Sequence, residues 1–389
     1  MLEHKSYLVT ASGKKEVAMR KIGKEVLFIP AVGGNPRNGE GSMIRLNDGR
    51  IMYAYTRYCG EESKDDAAAS IAAYYSSDEG ESWEYGGILI EKGRDDYNIM
   101  SVSLLRMADG DLGVLYLRKF DKDGHQLCMP YLVRSSDEGR SFGEPIACIN
   151  EDGYYVGNND RLIRLANGRL ILPVSYHGKN LANFTAGQLR VTYSDDDGRS
   201  FKLSPDTVKS PYNDLMGLQE PGVYQLGDGR VWMWCRTAYG HQYQCFSSDG
   251  GETWSAIEPA LRFTSPCSPM QVKDAGELTL AIFNPIGYNC TLAGEDSAWH
   301  KQRRTPFVCA VSRDRGALFT SPYKNPANPA ETKYFTRACY YLEDDVTNSY
   351  CYPTVMEVND GILVSYYHSN GTDFSLNSAK VTKVYFDEL

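Results

Sequence analysis

Short apolar segments alternate along the whole chain with polar turns, and no segment has the spacing of a long amphipathic helix. Six apolar segments follow a tight turn built on Asp-Gly, Asn-Gly or a related pair, which is a strong hairpin signal between apolar runs. The hairpins span residues 45–52, 106–110, 164–170, 225–231, 274–278 and 357–363. Six hairpins predict six structural units.

A second motif, here called the aspartate turn, is out of phase with the hairpins and has the pattern Ser-x-Asp-x-Gly-x-Ser/Thr-Trp/Phe. It occurs at residues 76–83, 135–142, 194–201 and 247–254, and in a degenerate form at 312–319. The aspartate can accept hydrogen bonds from nearby backbone N–H groups, glycine supplies a positive φ, and the aromatic ring fills the gap beneath. Repeats of this length are typical of propellers, solenoids and arrays.

Each hairpin is followed, after a variable loop, by another strand that ends in an aspartate turn, except in the sixth unit, which lacks the motif. Two hairpins joined in this way make a four-stranded antiparallel sheet. Six such sheets arranged radially predict an all-β fold, a six-bladed β-propeller. No linker divides the chain, so residues 1–389 are predicted to form a single domain, with residues 1–30 closing the ring or adding a peripheral strand.

Composition and charge limit the classes of partner that the protein is expected to bind. The formal charge of −9 and the absence of basic runs disfavour nucleic-acid and anionic-membrane partners. The 28 tyrosines suit β-strands and also a sugar-binding surface. The cysteines show neither C-x-x-C pairs nor metal-ligand spacing. No leader and no long apolar span is visible, so a cytoplasmic protein is expected, although a secreted protein that had lost its signal peptide would look the same.

The hairpins interleaved with aspartate turns resemble the pattern of the sialidase (neuraminidase) superfamily from about Asn35 onward. In that family the aspartate turns are structural and lie away from the active face. The resemblance implies a retaining exo-glycosidase that needs neither a metal nor an organic cofactor. Three arginines grip a sugar 2-carboxylate, an aspartate protonates the leaving oxygen, and a tyrosine activated by a glutamate attacks the anomeric carbon.

Matching the family pattern residue by residue implies three catalytic groups. Glu220 stands where the family has the glutamate that activates the nucleophile, and Tyr352 stands at the nucleophile position, with Tyr350 as its rival. Asp65, with Asp66 beside it, lies in the polar loop that supplies the acid. A packing tyrosine and a solvated acidic loop are the plain structural alternatives.

The same matching implies that Arg236 and Arg304 belong to the carboxylate-binding arginines, with Arg303 competing for the second place, and that Arg57 contacts the sugar. The first arginine of the family pattern is missing, because Glu40 stands there. Either Arg37, three residues earlier, reaches the same space, or the site does not hold a carboxylate with three arginines.

Asp160 and Arg161 occupy, in the third unit, the position equivalent to Glu40 and Glu220. Strand starts that face a propeller's channel commonly contact ligand, so both residues are candidates for binding sugar hydroxyls or a charged group. An Asx turn ahead of the strand is an equally good structural account.

Three functions remain open. The first is an exo-glycosidase that removes a terminal sialic acid or related acidic sugar. The second is a propeller glycosidase for a different sugar, suggested by Glu40. The third is a glycan-binding propeller without catalysis. All three predict a glycan or small sugar as the partner, and the oligomeric state is left open.

Overall fold

The computed structural model describes residues 7–9, 15–17, 19–212, 216–287, 304–320, 339–369 and 376–389, with side chains from Met19 onward. Arg303, the competing candidate for the arginine cluster, lies outside these residues. Strands are numbered in chain order. The first two, β1 (Tyr7–Val9) and β2 (Lys15–Val17), form a separate antiparallel pair.

The remaining strands form six antiparallel blades, numbered in chain order after β3 (Lys24–Ile29). Blade 1 contains β4 (Asn38–Arg45), β5 (Ile51–Tyr58), β6 (Ala69–Ser76) and β7 (Glu84–Ile90). Blade 2 contains β8 (Asp96–Arg106), β9 (Leu112–Lys122), β10 (His125–Ser135) and β11 (Ile146–Ala147). One parallel pairing between β6 and β8 joins these two blades into a continuous eight-stranded sheet.

The other four blades are separate sheets of four or five strands. Blade 3 contains β12 (Tyr155–Val156), β13 (Ile163–Arg164), β14 (Leu170–Tyr176), β15 (Gln188–Ser194) and β16 (Lys202–Leu203). Blade 4 contains β17 (Gln219–Gln225), β18 (Val231–Arg236), β19 (His241–Ser247) and β20 (Glu258–Thr264). Blade 5 contains β21 (Gln271–Ala275), β22 (Leu278–Phe283), β23 (Phe307–Ser312) and β24 (Cys339–Glu343).

Blade 6 contains β25 (Tyr350–Val358), β26 (Gly361–Ser369) and β27 (Leu376–Tyr385), and β3 from the start of the chain pairs with β27 as its fourth strand. This pairing closes the ring with backbone hydrogen bonds. The short helical turns among the described residues are Leu181–Asn183, Ala317–Thr320 and Phe386–Glu388. The prediction of an all-β six-bladed propeller is confirmed.

Six large apolar clusters lie between the blades, one for each pair of neighbours around the ring. Between blades 4 and 5, for example, Trp232 and Trp234 pack with Phe263 and Phe283. The inner strands of a blade therefore bury side chains on both faces, towards the blade before and the blade after. The core is a ring of blade interfaces, and the axis is left to polar groups.

The five aspartate turns share one hydrogen-bonding pattern. In the turn of blade 4, Asp249 accepts from the Ser247 hydroxyl at 2.7 Å and from the Thr253 backbone N–H at 3.0 Å. The degenerate copy keeps the same arrangement, since Asp314 accepts from the Leu318 N–H at 3.1 Å. These turns lie between the two outermost strands of a blade, and none of their residues lines the cavity at the axis. No helix among the described residues is long and apolar enough to cross a membrane.

Candidate active site

A backbone irregularity recurs in the innermost strands of four blades. In β4, β8, β17 and β25 the pairing register shifts at a β-bulge, and a residue with positive φ sits in each bulge. A non-glycine residue in this conformation is strained, and such positions cluster at functional sites. The bulge residues are Glu40 (φ 53°), Ser101 (φ 56°), Glu220 (φ 43°) and Tyr352 (φ 59°). All four line one cavity at this end of the ring.

Tyr352 and Glu220 are in direct contact, although they are far apart in the chain. The Tyr352 hydroxyl donates to Glu220 Oε1 at 2.7 Å. Arg236 Nη1 donates both to Glu220 Oε2 at 2.7 Å and to the Tyr352 hydroxyl at 3.2 Å. Burial, with the Glu220 charge, raises the pKa of Tyr352 well above its usual value, while Arg236 and Arg304 act in the opposite direction. The phenol therefore holds its proton at rest, with a carboxylate placed to take it.

Arg304 lies on the other side of this tyrosine. Its guanidinium carbon is 5.8 Å from the centroid of the Tyr352 ring, and Nη1 donates to the sulfur of Cys351 at 3.2 Å. No described carboxylate forms an ion pair with Arg304, whereas Arg236 is paired with Glu220. Two guanidinium groups thus flank the phenol.

Arg37, Glu40 and Asp65 form a second cluster on the blade 1 side. Arg37 donates from Nη1 to Asp65 Oδ1 at 2.6 Å, from Nη2 to Glu40 Oε1 at 3.1 Å and from Nε to the Tyr367 hydroxyl at 2.9 Å. Glu40 also accepts a short hydrogen bond from the Ser101 hydroxyl. Arg37 is thus already engaged by two carboxylates.

The cavity between these clusters has a volume of about 330 Å³, enough to hold a monosaccharide. It brings together Asp65, Glu40, Glu220, Arg236 and Tyr352 of the sequence-predicted residues. Lys119, Tyr154 and Phe184 add a cation and two aromatic rings to its wall. Among the described residues, no group of three or more His, Cys, Asp or Glu side chains is arranged to hold a metal ion.

Asp160 and Arg161 lie away from this cavity. Asp160 has the same positive φ as the bulge residues, but its carboxylate accepts from Ser42 at 2.9 Å, Thr354 at 2.6 Å and Lys273 at 2.8 Å, on three other blades. Arg161 is buried and donates to the Gln271 side chain at 2.6 Å and to a backbone carbonyl in blade 5. Their geometry gives the predicted substrate contacts no support, because both side chains tie blades together across the axis.

Arg57 also does not line the cavity. It alternates with Tyr58 along β5, and Tyr58 lies against Arg37, with the guanidinium carbon 4.8 Å from the ring centroid. Successive strand residues point to opposite faces, so Arg57 is directed towards the other side of the blade, where burial raises the pKa of Tyr74 and the Arg57 charge partly opposes that rise.

Ser101 is a site residue that the sequence reasoning missed, although a spacing signal was available. Glu40, Ser101, Glu220 and Tyr352 each lie nine residues before a hairpin glycine, namely Gly49, Gly110, Gly229 and Gly361. The same interval in blade 5 leads to Cys267, whose sulfur accepts from Arg236 Nε at 3.1 Å. Lys119 sits within β9 and carries no comparable signal.

The fold and this face define a β-propeller with a polar cavity at one end of its axis. A family described as "BNR repeat-like domain" matches residues 49–365, and the chain belongs to this family. No curated protein matches the chain.

Solved structures share the fold at low sequence identity. A Dyadobacter fermentans protein of unknown function is 17% identical, with a TM-score of 0.66, over 93% of this chain and 99% of its own. The Hadza microbial sialidase Hz136 is 15% identical, with a TM-score of 0.68, over 97% and 71%. The intramolecular trans-sialidase from Ruminococcus gnavus is 15% identical, with a TM-score of 0.65, over 96% and 99%. The propeller is therefore sialidase-like, as the aspartate turns predicted.

Proposed function

We propose that the protein is a retaining exo-glycosidase that removes an acidic sugar, sialic acid or a relative, from the end of a glycan. Tyr352 is its nucleophile and Glu220 the base that activates it. The observation that carries this proposal is the 2.7 Å hydrogen bond from the Tyr352 hydroxyl to Glu220 inside a cavity of monosaccharide size. A buried tyrosine with a purely structural role needs only some hydrogen-bond partner. Here the partner is a carboxylate that is itself paired with an arginine, which a structural role does not require.

The chemistry suits a substrate with a negative group next to the anomeric carbon. A carboxylate nucleophile would be repelled by that group, whereas a phenol paired with a glutamate approaches as a unit with less charge at the attacking atom. Because burial raises the pKa of Tyr352, its proton passes to Glu220 as the new bond to the anomeric carbon forms. Arg236, in contact with both groups, stabilises the charge that moves between them.

Arg236 lines the cavity and Arg304 lies against the Tyr352 ring without lining it, and these two arginines are the groups available to hold the substrate's anion. Both flank Tyr352, and Arg304 has no carboxylate partner among the described residues. A half-buried guanidinium without a counter-ion gains most from an anionic ligand. The sequence match assigns protonation of the leaving oxygen to Asp65, which lines the same cavity.

A second candidate is hydrolysis of a sugar without a 2-carboxylate. It is favoured by the blade 1 cluster, where Arg37 is held by Asp65 and Glu40 and Glu40 itself faces the cavity. A carboxylate brought against the ionised form of Glu40 would meet a like charge, so that form suits a hydroxyl or another hydrogen-bond donor on this side.

The test is a panel of 4-methylumbelliferyl glycosides comprising an α-sialoside, other ulosonic acids, uronides and neutral sugars. We expect the acidic sugars to be cleaved, with turnover reduced by about 10³-fold or more in Tyr352→Phe, since the nucleophile is lost. Tyr350→Phe is the matched control, because Tyr350 is buried two residues away and does not line the cavity.

A 2,3-difluorinated analogue of the cleaved sugar should add its mass to the peptide that contains Tyr352, in wild type and in Tyr350→Phe but not in Tyr352→Phe. Cleavage of neutral glycosides alone would favour the second candidate. Sugar binding by calorimetry without turnover of any substrate would indicate a glycan-binding propeller and end the case for catalysis.

A further inference from the structure

Two carboxyl groups of blade 1, not one, face the cavity, and they share one arginine. Arg37 reaches Asp65 at 2.6 Å and Glu40 at 3.1 Å. The two carboxyls differ in environment, because the Asp65 side chain is 74% exposed and the Glu40 side chain 3% exposed. The family resemblance gives Asp65 the role of proton donor to the leaving oxygen. The environments of the two carboxyl groups favour Glu40 for that role.

The electrostatic environments shift the pKa values of the two carboxyl groups in opposite directions. Arg37, with Lys119 in support, lowers the pKa of Asp65 to about 2, so Asp65 carries no proton at neutral pH. Burial raises the pKa of Glu40 despite Arg37 and the hydrogen bond from Ser101, and the charges of Asp65 and Glu220 add to the rise. When the pKa values of neighbouring carboxyl groups differ in this way, the group with the raised pKa is suited to proton transfer. The group with the lowered pKa is suited to carrying a fixed charge.

The backbone aims Glu40 as it aims the nucleophile. Both residues occupy positive-φ bulges on the innermost strands of adjacent blades, and both line the cavity. Tyr367 connects them, because its hydroxyl lies 3.4 Å from Glu40 Oε1 and its ring packs edge-on against the Tyr352 ring with centroids 5.6 Å apart. Asp65 instead sits in a loop, where Asn98 donates to its backbone carbonyl at 2.8 Å.

We propose that Glu40 is the general acid and base of this site, and that Asp65 is a positioning residue that holds Arg37. This assignment rests on the proposed function. In the first step Tyr352 Oη bonds to the anomeric carbon and its proton goes to Glu220, while the glycosidic C–O bond breaks and the leaving oxygen takes the proton of Glu40. In the second step water attacks the anomeric carbon and gives a proton to Glu40, and Tyr352 leaves with the proton returned by Glu220.

Several charged or titratable groups face Glu40 and set its proton affinity. They come from blades 1, 4 and 6 and comprise Arg37, Tyr58, Asp65, Glu220, Tyr352 and Tyr367. Ser101 of blade 2 adds a neutral hydrogen-bond donor. Because Glu40 must be protonated for the first step, turnover should fall as the pH rises through the pKa of Glu40.

The experiment compares Glu40→Gln with Asp65→Asn on two glycosides of whichever sugar the panel identifies, one with a methanol leaving group and one with 2,4-dinitrophenol. The methyl glycoside needs a proton on its leaving oxygen and the dinitrophenyl glycoside does not. For Glu40→Gln we expect a loss of about 10²–10⁴-fold on the methyl glycoside and a much smaller loss in the first step on the other. The fall in rate at high pH should also disappear.

Azide supplies a second signature. It attacks the glycosyl–tyrosine intermediate without needing a base, so added azide should accelerate Glu40→Gln on the dinitrophenyl glycoside and yield a glycosyl azide. Asp65→Asn should lose similar factors on both glycosides, keep the fall at high pH and give no azide product. If Glu40→Gln does not fold, Glu40→Asp retains an acid and should keep the fall at high pH at a reduced rate.

The opposite pattern, with leaving-group discrimination and azide rescue in Asp65→Asn alone, would overturn the assignment and leave the glycosidase proposal standing. Loss of the fall at high pH in Glu40→Asp would count against it in the same way. A wild-type protein that cleaves no glycoside of the panel would remove the proposed function itself, and this assignment with it.

Discussion

Two arginine–glutamate pairs face each other across the ring, and their differences explain how one backbone device serves two purposes. In blade 4 Arg236 is paired with Glu220, and in blade 1 Arg37 is paired with Glu40. Both glutamates sit in a bulge with positive φ at the start of an innermost strand. The third partner differs: the blade 4 pair holds a tyrosine hydroxyl, whereas the blade 1 arginine holds a second carboxylate, Asp65.

The comparison shows that the bulge aims a side chain and that the partners decide its chemistry. Glu220 accepts from a phenol and is placed to receive a proton. Glu40 shares its arginine with Asp65, so its negative form is less well compensated and burial raises its pKa. Three tests separate these roles, beginning with the largest expected effect.

Neutralising the two arginines should give unequal results. Arg236→Gln removes the cation that touches both Tyr352 and Glu220, so kcat/KM should fall by about 10²–10³-fold. Arg37→Gln should cost only about tenfold, because Arg37 touches neither of these groups. Since the Arg37 charge opposes the burial that raises the pKa of Glu40, its loss should also move the fall in rate to higher pH.

Profiles of kcat/KM against pH for the two variants and wild type provide the measurement. Equal losses in both variants, or movement of the fall to lower pH in Arg37→Gln, would contradict the division of roles between the pairs.

Asp160 shares the bulge-like φ but should act on stability instead. Its carboxylate accepts from Ser42, Thr354 and Lys273. The amide of Asp160→Asn would lose the ion pair with Lys273 and would place its NH2 group, a hydrogen-bond donor, against these donors. We expect a loss of about 3 kcal/mol in the free energy of unfolding, measured in urea. Despite burial, Lys273 lowers the pKa of Asp160, so this stability is present above about pH 4 and declines as pH falls below it.

Asp48→Asn in an exposed hairpin turn is the matched control and should change stability by less than about 0.5 kcal/mol. A raised KM with unchanged stability in Asp160→Asn would restore the sequence prediction that Asp160 contacts substrate.

Ser101→Ala should have the smallest effect. The Ser101 hydroxyl donates to Glu40 and opposes the burial that raises the pKa of Glu40, so its removal should move the fall in rate to slightly higher pH. At neutral pH turnover should change by about two- to fivefold, the size of one hydrogen bond. Ser103→Ala, two residues along the same strand, is the control because Ser103 does not line the cavity. A shift in the opposite direction would show that Ser101 does not tune Glu40.

Local sequence was sufficient to predict the fold because the residues within each repeat determine the geometry of its turns. An Asp-Gly hairpin or an aspartate turn is made by residues that are neighbours in the chain, as the hydrogen bonds of Asp249 to Ser247 and Thr253 illustrate. The site was partly predictable for the same reason, since Glu220 and Tyr352 recur at a fixed distance from a hairpin glycine. Ser101 follows that rule and could have been found by counting.

The amino-acid sequence by itself determined the six blades, the aspartate turns and the residue types that the innermost strands carry towards the axis. Only the tertiary structure decided which of those residues meet. It joined Tyr352 to Glu220, tied Arg37 to both Asp65 and Glu40, and used Asp160 to link blades. The reason is physical: hairpins depend on contacts within a few residues, whereas proton affinities and ion pairs depend on burial and on charges brought together from distant blades.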